Sequence, residues 1–241
     1  MGKDSRPFSD CEKGIIIAAD VAELSELRKL TELAMTAPEV LAIKVGFTLG
    51  LRHGLPAVVK AIHEIADIPV IYDHQKAGTD IPQMGKPFAA VCANAGVGAV
   101  ILFPLSGPKT LEGFVSAAMD ADLIPIVGLV MTHPAYLQSE GGYIADAAPD
   151  SICNTAVSMG VRSFVLPGTK TDIVTRFARG PLAQVSPVTI MMPGIGSQGG
   201  SITSAFAAAA PHNRLAIVGS ALYNNPDPPA MLQSLIAEIR K

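Results

Sequence analysis

Three charged side chains stand close together in the chain, directly after an apolar run. Asp73, Lys76 and Asp80 occur in the stretch YDHQKAGTDIP, which follows the apolar residues 68–71. A loop at the open end of a buried strand can hold such charges together and keep an ammonium group charged and aimed. The same residues also suit a solvated surface loop with mixed charge. The elements that precede and follow the stretch must decide between the two interpretations.

A fourth charge, Lys44, lies in the otherwise apolar segment LAIKVG. A buried lysine is costly unless it is paired, so the sequence favours a contact with Asp73. The alternative is a lysine that reaches solvent from the end of a strand. If Lys44, Asp73, Lys76 and Asp80 converge, two cations and two anions alternate in one pocket. Such a pocket would destabilise a bound carboxylate and protonate the carbon that it leaves, with no metal required.

The glycine-rich stretch PGIGSQGG at 193–200 indicates an anion site. Glycine lets backbone N–H groups approach an anion closely, and the N-terminus of the following helix adds a favourable dipole. Gly219 and Ser220, after the next apolar run, would complete a phosphate site made by two loops. The alternative is a flexible glycine turn without a ligand. The candidate residues of this site are Pro193, Gly196, Gly199, Gly219 and Ser220.

Other polar residues follow the apolar runs in the same way. Asp20 precedes a helical pattern and has Glu23 three positions later, so it either only caps that helix or caps it and also binds a ligand hydroxyl. Thr132 follows the fifth apolar run. For His74 the sequence favours a structural or peripheral role, and the alternative is a base in the charged loop. His133 is assigned no catalytic role.

The positions of these residues depend on a repeating pattern. Eight short apolar runs, mostly without polar alternation, are typical of strands that are covered on both faces. Segments of helical period separate many of them, and this order predicts a single (β/α)₈ barrel rather than a doubly wound open sheet. In such a barrel, all the polar features above fall on the rim at the carboxyl ends of the strands. The predicted strands are 14–19, 40–46, 68–73, 98–103, 123–131, 161–166, 188–192 and 214–219. The helical patterns cover 21–36, 55–66, 150–159, 170–179, 201–210 and 230–241.

Composition narrows the class of protein. The chain has 241 residues, 49% hydrophobic and 16% charged, which is typical of one packed domain over residues 13–241 after a polar lead-in at 1–12. The net charge of −3 and the lack of basic clusters argue against a nucleic-acid surface. No apolar run reaches the ~20 residues that span a bilayer. Three widely spaced cysteines form no metal or disulfide pattern, so we expect a reduced, cytoplasmic protein.

Taken together, the motifs resemble those of the orotidine 5′-monophosphate decarboxylase family over almost the whole chain. IIAAD at 16–20 is similar to the family's first strand, and IKVG at 43–46 is similar to its strand with a lysine. Asp73, Lys76 and Asp80, with the following IP, resemble its Asp-Lys-Asp signature, which is its most specific motif. MTHP at 131–134, PGIGSQGG at 193–200 and VGSALY at 218–223 resemble later family segments.

The resemblance implies a homodimeric, cofactor-free enzyme that converts orotidine monophosphate to uridine monophosphate in pyrimidine synthesis. It implies that Lys76 donates a proton to C6, that Asp73 stresses the substrate carboxylate, and that Lys44 completes the charge network. Asp80 would reach the site of the neighbouring subunit. For the substrate, the resemblance assigns the ribose to Asp20, the pyrimidine to Thr132, and a bridge between phosphate and base to Gln198.

This sequence departs from the family pattern at three places. Its signature is Asp-x-x-Lys-x-x-x-Asp, where the family has Asp-x-Lys-x-x-Asp. Ser220 stands where the family has a phosphate-binding arginine, and Met84 where a threonine is frequent. The nearest rival activity is that of a Mg²⁺-dependent phosphosugar enzyme, a 3-keto-gulonate-6-phosphate decarboxylase or hexulose-phosphate synthase, which tends to carry an acid at the position of Lys44. A second rival is a non-catalytic barrel that senses a nucleotide.

Overall fold

The computed structural model describes residues 11–75, 80–185, 187–196 and 199–240 of the chain. Its eight parallel strands form a closed barrel in which each strand pairs with its neighbours in sequence and β8 pairs with β1. This arrangement confirms the predicted (β/α)₈ barrel. The strands, β1 to β8, are Lys13–Ala19, Val40–Gly46, Val70–Asp73, Ala99–Leu102, Ile124–Gly128, Ser163–Val165, Thr189–Met192 and Asn213–Val218.

Helices surround the barrel and join its strands. Helix α2 follows β2 directly, and α3 begins only two residues after α2 ends. The helices α1 to α10 are Leu24–Ala34, Phe47–His53, Leu55–His63, Gly85–Asn94, Pro108–Asp120, Ala148–Ser158, Thr171–Arg179, Ile202–Ala209, Ser220–Tyr223 and Pro228–Ile239. Short 3₁₀ turns lie at Pro82–Met84, Gln138–Glu140 and Pro181–Val185.

The fifth strand shows the largest difference from the predicted boundaries. The apolar run 123–131 predicts a strand of nine residues, but β5 ends at Gly128. Leu129 and Val130 are fully buried outside the sheet, so burial rather than strand pairing explains their apolar character. A long loop, 129–147, begins there and continues to α6.

Residues two apart on a strand face the same side, and this rule divides the core into two clusters. One cluster lies between the sheet and the helices. The other fills the inside of the barrel with side chains at alternate positions. The inner cluster consists of Ile16, Ala18, Ala42, Ile71, Ala99, Ile101, Phe103, Ile126, Val165, Met191, Leu215 and Ile217.

This alternation positions the charges. Asp20 follows the inward-facing Ala18 by two residues, Lys44 follows Ala42, and Asp73 follows Ile71. The three charged residues therefore continue the inner face of three adjacent strands, at their carboxyl ends. Because Lys44 pairs with Ala18 on β1 and with Ile71 on β3, the three charged residues lie at similar levels along the barrel axis.

The opposite end of the barrel anchors the start of the described chain. Glu12, the last residue of the predicted lead-in, forms an ion pair with Arg214, and its carbonyl accepts a hydrogen bond from the Arg214 backbone N–H at 2.8 Å. Residues 1–10 of that lead-in lie outside the described residues. No helix in the described part of the chain is both long and apolar enough to cross a membrane.

Candidate active site

A three-membered charge network lies at the carboxyl end of the barrel. The Lys44 ammonium donates to Asp20 Oδ1 at 3.0 Å and to Asp73 Oδ2 at 3.1 Å. The Lys44 side chain is only 6% exposed, whereas the side chains of Asp20 and Asp73 are 37% and 17% exposed. The ammonium group is therefore buried behind two carboxylates that both reach the cavity above it.

The surroundings of Lys44 keep it charged. Burial opposes its positive charge, but attraction by Asp73 and Asp20, together with the two hydrogen bonds, outweighs burial and raises the pKa of the ammonium above its ordinary value. A lysine in this state releases its proton poorly at neutral pH. Lys44 therefore holds the Asp20 and Asp73 carboxylates in place through its two hydrogen bonds.

A cavity of about 290 Å³ opens directly above this network. That volume is at the lower end of the range for small-molecule sites and suits a single small ligand. Four of the residues predicted to bind a substrate line it besides Asp20, namely Thr132, Pro193, Gly219 and Ser220. The structure thus brings together the polar ends of β1, β2, β3, β7 and β8 and the loop after β5.

The described lining carries little positive charge for a site expected to bind a phosphate. Lys44 contributes one positive charge and Asp20 and Asp73 contribute two negative charges, a net charge of −1. Position 220, which borders the cavity, holds a serine. Among the described residues, no group of three or more histidine, cysteine, aspartate or glutamate side chains is placed to hold a metal ion.

The glycine-rich segment after β7 folds back on itself. Gly194, Gly196 and Gly199 have positive φ angles of 90°, 83° and 85°, a conformation in which glycine avoids the strain of a side chain. The Gly196 N–H donates to the Gly200 carbonyl, the Gly199 N–H to the Gly196 carbonyl, and the Gly200 N–H to the Gly194 carbonyl. Pro193 and Gly194 line the cavity, whereas Gly196 and Gly199 are not part of its lining.

Asp80 lies apart from the charge network. It borders a separate groove on the side of the barrel, formed largely by α2, α3 and α4. Its backbone carbonyl accepts a hydrogen bond from Thr110 Oγ1 at 2.8 Å, and its Oδ1 accepts one from the Ile81 N–H at 2.7 Å. Within one subunit, the structure therefore does not place Asp80 beside Lys44 and Asp73.

The same groove contains His74 and much exposed apolar surface. The Tyr72 hydroxyl and His74 Nδ1 lie 2.5 Å apart, so His74 contacts the groove and not the central cavity. Burial raises the pKa of Tyr72 to about 12. The exposed apolar side chains that line the groove are Phe47, Leu51, Met84 and Val91, with exposed fractions of 41%, 75%, 40% and 61%.

Two predicted site residues, Lys76 and Gln198, lie outside the described residues. Two polar residues that line the cavity, Tyr223 and Gln75, were not predicted as site residues from the sequence. Tyr223 belongs to the segment VGSALY but carries no chemical signal of its own. Its pKa is raised by burial and by the negative charge of Asp20. Gln75 stands between His74 and Lys76, and its neutral amide gives no signal of its own beside the charged residues of the signature.

The loop after β5 is tied to the start of α7. The Lys170 ammonium and Glu140 Oε1 lie 2.6 Å apart, and Glu140 Oε2 accepts a hydrogen bond from the Tyr136 N–H at 3.2 Å. The bond from Lys170 lowers the pKa of Glu140 below its ordinary value. This link fixes the loop that carries Thr132 at the edge of the cavity.

Comparison with known proteins places the chain among relatives of similar length. The orotidine 5′-phosphate decarboxylase of Methanosarcina barkeri is 30% identical over 93% of this chain and 94% of the relative. That of Pyrococcus abyssi is 29% identical over 94% of this chain and 99% of the relative.

Solved structures share the same fold. The crystal structure of orotidine 5′-monophosphate decarboxylase from Methanocaldococcus jannaschii, complexed with the inhibitor BMP, matches with a TM-score of 0.80 at 23% identity and covers 95% of this chain and 100% of that one. The structure of orotidine 5′-phosphate decarboxylase from Pyrococcus horikoshii OT3 has a TM-score of 0.76 at 25% identity and covers 94% and 100%.

A family model matches nearly the full barrel, over residues 13–235. This match shows the family, and so does the relative that is 30% identical over 93% of this chain. The chain belongs to the Orotidine 5′-phosphate decarboxylase / HUMPS family.

Proposed function

We propose that this protein decarboxylates orotidine 5′-monophosphate to uridine 5′-monophosphate as a cytoplasmic enzyme of pyrimidine synthesis. The observation that carries the proposal is the buried Lys44 ammonium, held between Asp20 and Asp73 under a cavity of ligand size. The relatives named above support it, since each is named as this decarboxylase. The three cysteines are free, which suits a reducing compartment.

The reaction breaks the bond between C6 of the pyrimidine and its carboxyl carbon. Carbon dioxide leaves, and the electron pair of the broken bond stays on C6. The substrate carboxylate would lie against Asp73, so that two negative charges face each other before the reaction and the repulsion disappears when carbon dioxide departs. Because Lys44 holds Asp73 by a hydrogen bond, the aspartate cannot relieve this repulsion by turning away.

A proton must then reach C6. Lys44 is a poor donor, because its pKa is raised and both neighbouring carboxylates hold its protons. We assign the proton transfer to Lys76, which gives its proton to C6 and recovers one from solvent. An efficient proton donor has a pKa nearer the working pH than that of Lys44.

The rest of the cavity would hold the nucleotide. Asp20 faces the ribose, and Thr132 on the opposite side faces the pyrimidine. The phosphate lies at the loops after β7 and β8, held by backbone N–H groups and by the side chains of Gln198 and Ser220. No cofactor takes part in this scheme.

Asp80 belongs in the same proposal through a second subunit. It borders a groove with exposed apolar side chains, including Leu51 and Val91, and an exposed apolar patch of this kind marks a protein contact. We propose that this groove is the interface of a homodimer and that Asp80 serves the active site of the neighbouring subunit. A two-fold axis would then complete two sites at once.

The decisive assay follows the ultraviolet absorbance of orotidine monophosphate with purified protein, no added metal and a chelator present. We expect turnover that the chelator leaves unchanged. Activity that the chelator abolishes would favour the Mg²⁺-dependent phosphosugar chemistry, and a well-folded protein without any turnover refutes the proposal.

The role of Lys76 is tested by Lys76→Ala, with Lys29→Ala on the exposed face of α1 as a matched control. Loss of the proton donor should lower kcat by about 10²–10⁴-fold, while uridine 5′-monophosphate (UMP) still binds. The control should keep wild-type turnover. Equal turnover in both variants would remove Lys76 from the mechanism, and a protein that only senses a nucleotide would show no turnover in any form.

The dimer is tested by mixing two inactive variants, Lys76→Ala and Asp80→Asn. If Asp80 serves the neighbouring site, mixed dimers carry one intact site, and re-assorted mixtures should recover about a quarter of wild-type activity. Leu51→Glu, in the apolar groove, should give monomers in analytical ultracentrifugation. A mixture that stays inactive, although mixed dimers form, would place Asp80 outside the neighbouring site.

A further inference from the structure

The backbone at the end of β3 is held by two hydrogen bonds on opposite faces of the sheet. On the inner face, Asp73 Oδ1 accepts the Gln75 backbone N–H at 2.9 Å. On the outer face, which the Tyr72 ring shares with the core between sheet and helices, the Tyr72 hydroxyl and His74 Nδ1 lie 2.5 Å apart. Each bond joins residues two positions apart, so the outer bond spans Asp73, the last residue of β3.

The Tyr72 hydroxyl is a firmly placed donor for the outer bond. Burial raises the pKa of Tyr72 to about 12, so the hydroxyl keeps its proton at neutral pH. It can therefore donate to His74 Nδ1, in the tautomer of the neutral imidazole that carries its proton on Nε2. The ring has little room to move, because a Cβ built on Gly50 of α2 would lie 3.4 Å from the hydroxyl oxygen and the Phe88 ring of α4 stacks on it at 6.2 Å between centroids.

Asp73 stands where the support of the sheet ends. β3 stops at its pairs with Gly46 of β2 and Ile101 of β4, and the chain then turns at once, since Gln75 has a φ angle of 49°, which non-glycine residues seldom adopt. At this same point, Asp73 Oδ2 lies 3.1 Å from the Lys44 ammonium. A hydrogen bond between the residues on either side of Asp73 limits the backbone rotation that would move its carboxylate.

We infer that Tyr72 and His74 are positioning residues that hold the Asp73 carboxylate against Lys44 through a hydrogen bond on the outer face of β3. Neither residue is part of the described lining of the cavity, so both act through Asp73. The inference rests on the proposed function for the reaction that Asp73 serves. It gives a function to Tyr72, which no sequence pattern singles out, and it extends the structural role expected for His74.

Tyr72→Phe tests the inference, because it removes the bonding hydroxyl and keeps the ring. A misplaced Asp73 should lower kcat on orotidine monophosphate by about 10-fold to 10²-fold. KM should stay unchanged or fall, because less repulsion remains between Asp73 and the carboxylate of the bound substrate. Tyr143→Phe is the matched control, since Tyr143 is 99% exposed, and it should match the wild type.

Two His74 variants separate the hydrogen bond from the bulk of the side chain. Asparagine carries a carbonyl oxygen where histidine has Nδ1, so His74→Asn should keep kcat close to the wild-type value. His74→Leu removes the acceptor and should lose as much as Tyr72→Phe, and the combination of the two should be no slower than either alone, because both remove the same bond. Because His74 borders the groove of the proposed dimer, kcat is compared at protein concentrations at which sedimentation gives one oligomeric state for all variants.

A second measurement needs no turnover. Tyr72 packs on the outer face of the sheet and Lys44 lies on the inner one, so energetic coupling between them runs through Asp73. In urea unfolding, Tyr72→Phe should therefore cost less stability in the Lys44→Met background than in the wild type, where Asp73 still has its cation. In the Lys60→Met background, which lacks an exposed lysine of α3, the cost should equal that in the wild type.

Equal costs of Tyr72→Phe in all three backgrounds overturn the inference. Wild-type kcat in Tyr72→Phe, a loss that appears only as a raised KM, or a His74→Asn variant as slow as His74→Leu also overturns it. All these results leave the proposed function intact. A wild type that turns over no orotidine monophosphate refutes the proposed function, and the inference is then decided by the unfolding measurements alone.

Discussion

Lys44→Met offers the sharpest test of the charge network, because the substitution keeps the length of the side chain and removes only its charge. The Lys44 side chain is 6% exposed, and its ammonium group is bonded to two carboxylates. Removing one partner of a buried ion pair typically costs about 3–5 kcal/mol, since it leaves the other charge unpaired. Asp20 and Asp73 retain 37% and 17% of their side-chain exposure, so water will take over part of the stabilisation. We therefore expect a loss near the lower end, about 3 kcal/mol.

The loss is measured by urea unfolding followed by circular dichroism, with thermal unfolding as a second measurement. For a chain of this size, a loss of about 3 kcal/mol lowers Tm by roughly 6–12 °C. Lys60→Met is the matched control, because Lys60 is 77% exposed and lies 3.8 Å from Glu64 on the surface of α3. Such an exposed pair contributes little to stability.

The pH dependence of the unfolding free energy gives an independent test of the charge network. Because the folded-state pKa of Lys44 is raised, its stabilising contribution is fully present below the unfolded value of about 10.4 and is lost only as the pH rises through the folded value. The difference in unfolding free energy between wild type and Lys44→Met should therefore stay constant from about pH 7 to pH 9. A gap that narrows in that window contradicts the raised pKa.

A triple variant separates stability from function. Asp20→Asn, Lys44→Met and Asp73→Asn together remove every charge of the network and should recover most of the lost stability, because no charge remains unpaired. Turnover should be absent in the triple variant, because it lacks the Asp73 carboxylate of the proposed mechanism. The reasoning fails if Lys44→Met alone is within about 1 kcal/mol of wild type, or if the triple variant is no more stable than the single one.

Two further predictions concern the surroundings of the cavity. A Cβ on Gly128 would overlap the Phe103 ring, so Gly128→Ala should lower the free energy of unfolding by about 1–3 kcal/mol and weaken UMP binding, as measured by urea unfolding and calorimetry. Gly98→Ala is the control, because its Cβ would have its nearest neighbour at 3.8 Å. Equal stability of the two variants would contradict the overlap. Glu140→Gln should destabilise the protein at neutral pH by weakening the contact with Lys170. Because that contact lowers the folded pKa of Glu140, the difference should persist down to its ordinary pKa of about 4.3 and vanish as the pH falls through the lowered value, so an undiminished gap in urea unfolding at about pH 3 would count against it.

The pairing of Lys44 with Asp73 follows from the sequence by a short argument. A lysine within an apolar strand needs an anion, and adjacent strands of a parallel barrel end at the same rim. The partnership with Asp20 is harder to predict, since Asp20 also fits a helix N-cap ahead of Glu23. In the structure, the cap of α1 is Glu23 itself, so Asp20 is left to pair with Lys44.

The position of Asp80 and the place of Gln75 at the cavity could not be predicted from spacing. Asp80 is close to Asp73 in sequence, but the turn at Pro82–Met84 and the bond from Thr110 direct its segment toward the side of the barrel. Gln75 has a positive φ angle, and Asp73 Oδ1 accepts its backbone N–H; a glutamine does not signal such a local geometry in advance.

The folded glycine segment after β7 has a consequence for the order of events in binding. Its amides at Gly196, Gly199 and Gly200 already donate to carbonyl groups of the same segment, so a phosphate ester bound there as proposed would have to replace neutral hydrogen bonds with its own. Hydrogen bonds to an ionised oxygen are about twice as strong as neutral ones, so a phosphate dianion can drive this exchange. An uncharged nucleoside cannot, because it lacks the ionised oxygens. Under the proposed function, we therefore expect the protein to discriminate nucleotides from nucleosides more strongly than contact area alone would, and we expect binding to include a rearrangement that is slower than diffusional encounter.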